Sequence, residues 1–275
     1  MPTLPPDGAQ PATPAPHRER RMAESFGADA ERYDRARPRY PEALVRRIAA
    51  GSPGPSVLDV GCGTGIAARQ FEAAGCHVLG LDVDARMAAF ARRGGVETEV
   101  AAFEDWDAAG RVFDAVVAGQ TWHWVDPVAG AAKAAGVLRP DGRLALFWNV
   151  PAPSPEVAAA FHDVHQRVLP HEPLNQWAKP ALDGHVALLT TAADGIRRSG
   201  AFDEPEEWRF TWERTYTRDA WLDQIPTSGV AARMRAATLR ELMAATGAAI
   251  DALGGAFTMP YTSVVVTARR TGADG

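Results

Sequence analysis

Apolar residues gather in short runs over the first half of the chain. The run Val57-Leu58-Asp59-Val60 stops abruptly at Gly61-Cys62-Gly63-Thr64-Gly65. An apolar run ending at glycines spaced by single residues predicts a buried strand entering a loop without side-chain bulk, and the pattern turns helical from Ile66. Glycine tolerates positive φ and has no Cβ, so a small ligand can lie directly against main-chain N–H and C=O groups in such a loop. His77-Val78-Leu79-Gly80-Leu81-Asp82 predicts a second buried strand that ends in a carboxylate. In open parallel sheets ligands sit beyond the carboxyl ends of the strands. An acidic group at the second strand tip can there accept hydrogen bonds from vicinal ribose hydroxyls.

The pattern changes after Phe147-Trp148-Asn149. Pro151, Pro153 and Pro155 break the chain before a helix predicted from Glu156 to about Leu169. Residues 208–216 alternate with period two, placing Trp208, Phe210 and Trp212 on one face of a sixth strand. Thr217 can cap a helix through Leu222, and an alanine-rich helix is predicted from about Val230 to Leu253, ended by Gly254-Gly255. Tyr261 to Arg269 is a final strand rich in β-branched residues. The expected organisation is a flexible proline-rich tail (1–20), a cofactor-binding core with an N-terminal lid helix (21–150), a helical insertion (151–200), and the last strands (201–270) carrying a second helical lid insertion (217–255).

The glycine spacing bears on the ligand. Dinucleotide sites use GxGxxG, with a pyrophosphate at the helix N-terminus. Here the spacing is GxGxG, and Asp59 stands two residues before the first glycine. A carboxylate there is awkward beside a pyrophosphate but suits an ammonium, and an ammonium-bearing nucleoside without phosphate is S-adenosylmethionine.

VLDVGCGTG followed by VLGLD resembles motifs I and II of the class I S-adenosylmethionine-dependent methyltransferases. The likeness continues through Ala101-Ala102-Phe103-Glu104-Asp105-Trp106 after a third strand, and through Phe113 to Gln120 as a fourth. It extends to Trp122-His123-Trp124-Val125-Asp126-Pro127, and to Val137 through Leu146 leading into a fifth. It covers roughly residues 25 to 150, with five motifs in order at βα spacing. The remainder is similar, more loosely, to the methyltransferase type 11 group, which includes the trans-aconitate methyltransferases. The resemblance implies an α/β fold with a doubly wound, mostly parallel seven-stranded sheet and helical lid insertions. Arg139-Pro140-Asp141-Gly142 departs from the family's Pro-Gly-Gly turn, a change that Asp-Gly turn chemistry accommodates.

Carried over position by position, the resemblance implies that Gly61 and Gly63 contact the methionine moiety through backbone, that Asp59 helps to hold its amino group, and that Asp82 takes the ribose hydroxyls. Val83, Phe103 and Glu104 fall where the family surrounds the adenosine, Phe103 by backbone or stacking and Glu104 by its carboxylate. Gln120 falls beside the sulfonium. Tyr33-Asp34-Arg35-Ala36-Arg37-Pro38-Arg39-Tyr40-Pro41 resembles the family's YDxxRPxYP segment over the cofactor entrance. Tyr33, Arg37 and Tyr40 would there touch the cofactor carboxylate or the acceptor, Tyr33 being assigned to the cofactor and Arg37 and Tyr40 to the acceptor, and an anionic acceptor is consistent with the arginines. Helix packing and surface pairing are the competing reading of this segment.

Methyl transfer from a sulfonium is an in-line displacement that positioning and a dry pocket accelerate. A base is needed only if the acceptor must lose a proton. His123 is the candidate base, and a ring packed within Trp122-His123-Trp124 is the alternative. Trp122 and Trp124 read either as an acceptor wall or as core. His162 and His165, with His171 or Asp163, have a spacing compatible with a metal, but without a paired acidic or cysteine set they read as polar lid residues, and no metal is expected. Thr227-Ser228 reads as a turn, and Cys62 as a small packing residue.

Composition narrows the class further. The chain of 275 residues is 46% hydrophobic and 23% charged with a net charge of −5, which suits an ordinary soluble enzyme and disfavours nucleic acid as a partner. Arg18, Arg20, Arg21, Arg32, Arg35, Arg37 and Arg39 are interleaved with acids and read as a solvated helix. No apolar run approaches the roughly 20 residues of a membrane span, and the first 16 residues look like a tail, not an export signal. Two cysteines suit a reducing compartment, so the expected location is the cytoplasm, with a small-molecule acceptor methylated on an oxygen or carboxylate, C- or N-methylation in a natural-product pathway being the alternative. A nicotinamide-dependent oxidoreductase and a non-catalytic cofactor-binding module are the competing classes.

Overall fold

Strands that are apolar on both faces belong in the interior of a sheet covered on both sides, and the runs ending at Val60, Asp82 and Gly119 take that place. The computed structural model describes residues 26–170, 175, 177, 181–229 and 231–272. The expected tail (1–20), with Arg18, Arg20 and Arg21, and His171 lie outside the described residues. β1 (Ser56–Val60), β2 (His77–Asp82), β3 (Glu97–Val100), β4 (Phe113–Gly119) and β5 (Leu138–Pro151) run parallel. β6 (Glu206–Thr217) and β7 (Ala256–Arg269) complete a seven-stranded sheet of order β3-β2-β1-β4-β5-β7-β6, in which β7 is antiparallel to both neighbours. The fold class expected from the sequence is therefore the one observed. Strand order reverses between β1 and β4, which opens a crevice at their carboxyl ends.

The two-residue period sorts each strand between two cores. Val57 joins Leu44, Ile48 and Phe71, beneath α2 (Glu42–Ala50) and α3 (Ile66–Ala73). Leu58 and Val60 join the opposite cluster, with Trp122, Trp148 and Ile196. Full burial of one such aliphatic chain contributes about 1.5–3 kcal/mol, so a one-residue slip of β1 would reverse the placement of its whole set. α1 (Ala30–Ala36) precedes this layer, and α4 (Ala85–Arg93) packs on β2 and β3. α5 (Pro127–Val137) starts at Asp126, whose carboxylate accepts from the N–H groups of Val128 and Ala129.

Residues 151–200 do not form one insertion. α6 (Pro155–Val168) packs in the cap, but α7 (Ala181–Ser199) lies on α5, β5 and β7. Its Leu189, Ala192 and Ile196 share one helical face and enter the core. A Cβ at Gly195 would stand 2.4 Å from the Pro127 carbonyl, so glycine permits that close approach.

Beyond the end of β5 the β6–β7 ribbon continues alone, pairing Tyr216 with Phe257 and Thr217 with Ala256. α6, α8 (Arg218–Gln224) and α9 (Ala236–Ala252) belong to this cap. Its core holds Phe161, Tyr216, Trp221, Ile250 and Phe257, with Phe161 stacked on Trp221 at 5.4 Å between centroids. Thr217 caps α8 as expected, accepting from the Ala220 N–H. α9 starts at Ala236, later than the alanine pattern suggests. Ala231–Arg233 form a separate 3-10 turn, and Arg235 supplies no side-chain cap that would have marked the true start. Among the described residues no helix is long and apolar enough to cross a membrane.

Candidate active site

The loop after β1 carries Gly61 at φ +67, Gly63 at φ +56 and Gly65 at φ +85, a region L side chains rarely adopt. The first two glycines meet different demands. A Cβ on Gly61 would stand 2.0 Å from Cγ2 of Thr121, whose hydroxyl lies 3.1 Å from the Gly61 carbonyl and 3.0 Å from that of Gly119. Thr121 thus joins the tips of β1 and β4. A Cβ on Gly63 would meet nothing within 4 Å, so backbone there faces open space.

Two carboxylates border that space. Asp59 is 1% exposed and its Oδ2 has no hydrogen-bond partner. Burial, and then the neighbouring Asp82 charge, push its carboxyl up to about 7. Asp82 accepts from the N–H groups of Gly63 (2.8 Å) and Asp84 (2.8 Å). Burial pushes it up to about 6, although those backbone donors oppose the shift. Neither carboxylate has an ion-pair partner among the described residues. A buried carboxylate without a cation is costly, so the pair suits a ligand that brings an ammonium and hydroxyl donors. The donor set therefore fits the methyl donor implied by the sequence.

The remaining expected residues divide. Val83 is half-buried after β2, and Glu104 accepts from the Asp126 N–H at 3.1 Å. Phe103 is 3% exposed and packs 6.2 Å from Trp122, which leaves its backbone, not its ring, for an adenine. The acceptor-wall expectation for Trp122 is corrected in the same way: the ring is 2% exposed, fixed in the core where Gly130 makes room for it. Trp124 is half-buried, 4.6 Å from the His123 ring. Gln120 turns at φ +59, donating its N–H to Phe147 O and its amide to Asn149 O at 3.3 Å, so its side chain is held toward the end of β5.

His123 is half-buried, and desolvation, followed by His185, lowers its imidazole to about 4. The neutral ring accepts a long bond (3.5 Å) from the Trp148 indole at Nδ1. The proton of that tautomer is then on Nε2, and the basic lone pair faces Trp148. This geometry opposes the expected role as a base. His162 bonds Asn175 at 3.1 Å, and among the described residues no group of three metal-ligating side chains converges.

The segment before α2 straps the site. Gly27 N–H donates to Asp84, Arg69 pairs with Asp34, and Gln70 holds both backbone groups of Tyr40. The Tyr40 ring meets Phe147 edge-on at 4.6 Å, and its Oη lies 2.5 Å from where a Cβ on Gly119 would stand. Burial, Tyr33 and Asp59 all raise the Tyr40 phenol. Arg32 and Arg35 pair with Asp223 of α8, at 3.1 and 2.9 Å, so this part of the arginine-rich segment is bound to the cap, not simply solvated. Arg37 lies over the Tyr33 ring at 5.1 Å and donates to Thr227 O. Sequence reasoning missed Thr121, Gly119, Asp84 and Asp223. Only Asp84 carried a signal, as a capping residue before α4. Two shallow concavities of about 360 and 410 Å³ lie elsewhere, along β6–β7 and between residues 27–31 and α4, and neither is bordered by the glycine loop.

Residues 58–146 match a family described as a methyltransferase domain. An uncharacterized methyltransferase of Mycobacterium tuberculosis is 37% identical over 133 residues, 47% of this chain and 54% of that protein. The chain thus spans about half the length of that curated relative. The malonyl-[acyl-carrier protein] O-methyltransferase of Enterobacter lignolyticus is 33% identical over 180 residues, 62% of this chain and 71% of that protein. A solved structure from Anaeromyxobacter dehalogenans, assigned there as a type II methyltransferase, superposes with a TM-score of 0.62 at 26% identity, covering 85% of this chain and 97% of that one.

Proposed function

We propose, from the premise that this chain belongs to the S-adenosylmethionine-dependent methyltransferases, that it methylates an oxygen atom of a small-molecule acceptor, in the cytoplasm and without a nucleic-acid partner. The observation that carries the reading is the unpartnered Asp59 carboxylate beside Asp82 and the open backbone of Gly63. The oxygen acceptor is supported by the O-methyltransferase name of the Enterobacter relative.

S-adenosylmethionine supplies an electrophilic methyl group on its sulfonium. The chain would hold it through Asp59 at the amino group, Gly61 and Gly63 backbone at the methionine moiety, Asp82 at the ribose, and Val83, the Phe103 backbone and Glu104 around the adenine. Tyr33, Tyr40 and Trp124 would exclude water, and alignment of the acceptor supplies most of the acceleration. His123 is assigned to packing. His123→Gln is therefore expected to keep turnover within about threefold of the parent, whereas loss of a general base costs about 10² to 10⁴. Turnover measured across pH decides between them.

The carboxylates make binding pH-dependent. Their folded values, about 7 and about 6, lie above the ordinary 3.8, so between about pH 4 and 7 the folded chain binds more protons than the unfolded one. Their contribution to ligand-free stability is greatest below that window and is lost as pH rises through it. A ligand ammonium favours the ionised form. The Tm rise given by S-adenosylhomocysteine is thus expected to be larger at about pH 8 than at about pH 5.5, and equal rises would contradict the Asp59 assignment. Thermal shift with NAD alongside separates the oxidoreductase reading. Mass spectrometry of a cell extract incubated with labelled methyl donor separates a catalyst from a binding module.

A further inference from the structure

Several arginines around the cap are neutralised. Arg32 and Arg35 share Asp223, Arg69 pairs with Asp34, and Arg218 with Asp251. Arg37 and Arg214 differ, having no carboxylate within ion-pair distance among the described residues. Arg37 spends one nitrogen on Thr227 O, and its Nε is buried without a partner. Arg214, on β6, lies over the Tyr216 ring at 4.6 Å and reaches the carbonyl of Ala36, the residue before Arg37, at 3.3 Å. The two guanidiniums therefore converge from strap and ribbon.

Phenols surround them. Tyr216 and Tyr261 share a buried hydroxyl–hydroxyl bond of 2.9 Å, and both feel the charges of Arg37 and Arg214. Tyr40 feels Arg37 from one side and Asp59 from the other. Tyr40 thus lies within electrostatic range of both the buried Asp59 carboxylate and the Arg37 guanidinium. Partly buried cations without counter-charge are costly, and a guanidinium fork matches a carboxylate.

We propose that Arg37 and Arg214 bind a carboxylate of the methyl acceptor, an organic acid whose apolar body lies against the half-buried Tyr33 and Tyr40, with the buried Tyr216 and Tyr261 pair supporting the guanidiniums from behind. The proposal rests on the methyltransferase reading above, and the cofactor's own carboxylate is the other source of the same chemistry. The test titrates benzoate, and benzamide as its neutral counterpart, by calorimetry into protein saturated with S-adenosylhomocysteine. Benzoate is expected to bind the parent at least about tenfold more tightly than benzamide. Arg214→Gln and Arg37→Gln should each lose about tenfold or more for benzoate, and Arg214→Lys should lose less. S-adenosylhomocysteine affinity should stay within about twofold in Arg214→Gln. No benzoate binding to the parent complex at millimolar concentration, no preference over benzamide, or an equal loss of S-adenosylhomocysteine affinity in Arg214→Gln would overturn the proposal. Failure of the parent to bind S-adenosylhomocysteine at all would instead remove the reading beneath it.

Discussion

Asp82→Ala is expected to weaken S-adenosylhomocysteine binding by about ten- to a hundredfold in calorimetry, the equivalent of about 1.5–3 kcal/mol for lost charge-assisted hydrogen bonds. Thermal stability of the ligand-free protein should move far less. The substitution strips acceptors from the N–H groups of Gly63 and Asp84, but it also removes a carboxylate that burial already pushes up to about 6. These terms oppose each other in folding and act together in binding. Unchanged affinity would remove Asp82 from the ribose position. Asp82→Asn keeps the shape and one acceptor, and should fall between parent and alanine variant.

Gly61→Ala is expected to lower unfolding free energy by roughly 2–4 kcal/mol in urea titration, from strained positive φ together with forced displacement of Thr121. Its Cβ would meet Thr121 Cγ2 at 2.0 Å, so one of the strand tips must move. Adding Thr121→Ser removes that methyl and should recover part of the loss, while the φ strain stays. Gly63→Ala is the contrasting variant. Its Cβ enters open space, so the cost to folding should be limited to backbone strain of about 1–2 kcal/mol, and the larger loss should be in cofactor affinity. Equal stability losses at both positions would contradict the division of roles between the two glycines.

Much of this was legible from residues alone. Apolar runs with fixed punctuation specify β1, β2 and β4, because a two-sided buried strand tolerates few polar positions. The GxGxG loop and the two strand-end aspartates are local features, so their chemistry is written within single segments. The proposed acceptor side is different. Arg37, Arg214, Tyr216, Tyr261 and Thr227 come from α1's exit, the ribbon and the turn after α8, and only the packing of the cap brings them together. His123 and Trp122 looked chemical because they follow β4. Their roles, however, are set by Trp148 and Gly130, distant residues that hold one ring by its lone pair and seat the other in the core. Residues 181–199 carried an amphipathic face that could have packed on either the lid or the sheet; Leu189, Ala192 and Ile196 enter the sheet core, and Gly195 allows close approach to Pro127 of α5.

Asp59, Asp82 and the Gly61–Gly63 backbone are proposed to form the cradle of an adenosyl cofactor. A crystal structure of the protein with S-adenosylhomocysteine tests it most directly. The ligand amino group is expected within hydrogen-bond distance of Asp59 Oδ2, and the ribose hydroxyls on the Asp82 carboxylate. A bound ligand that leaves Asp59 unpartnered and lies away from Gly63 would contradict it.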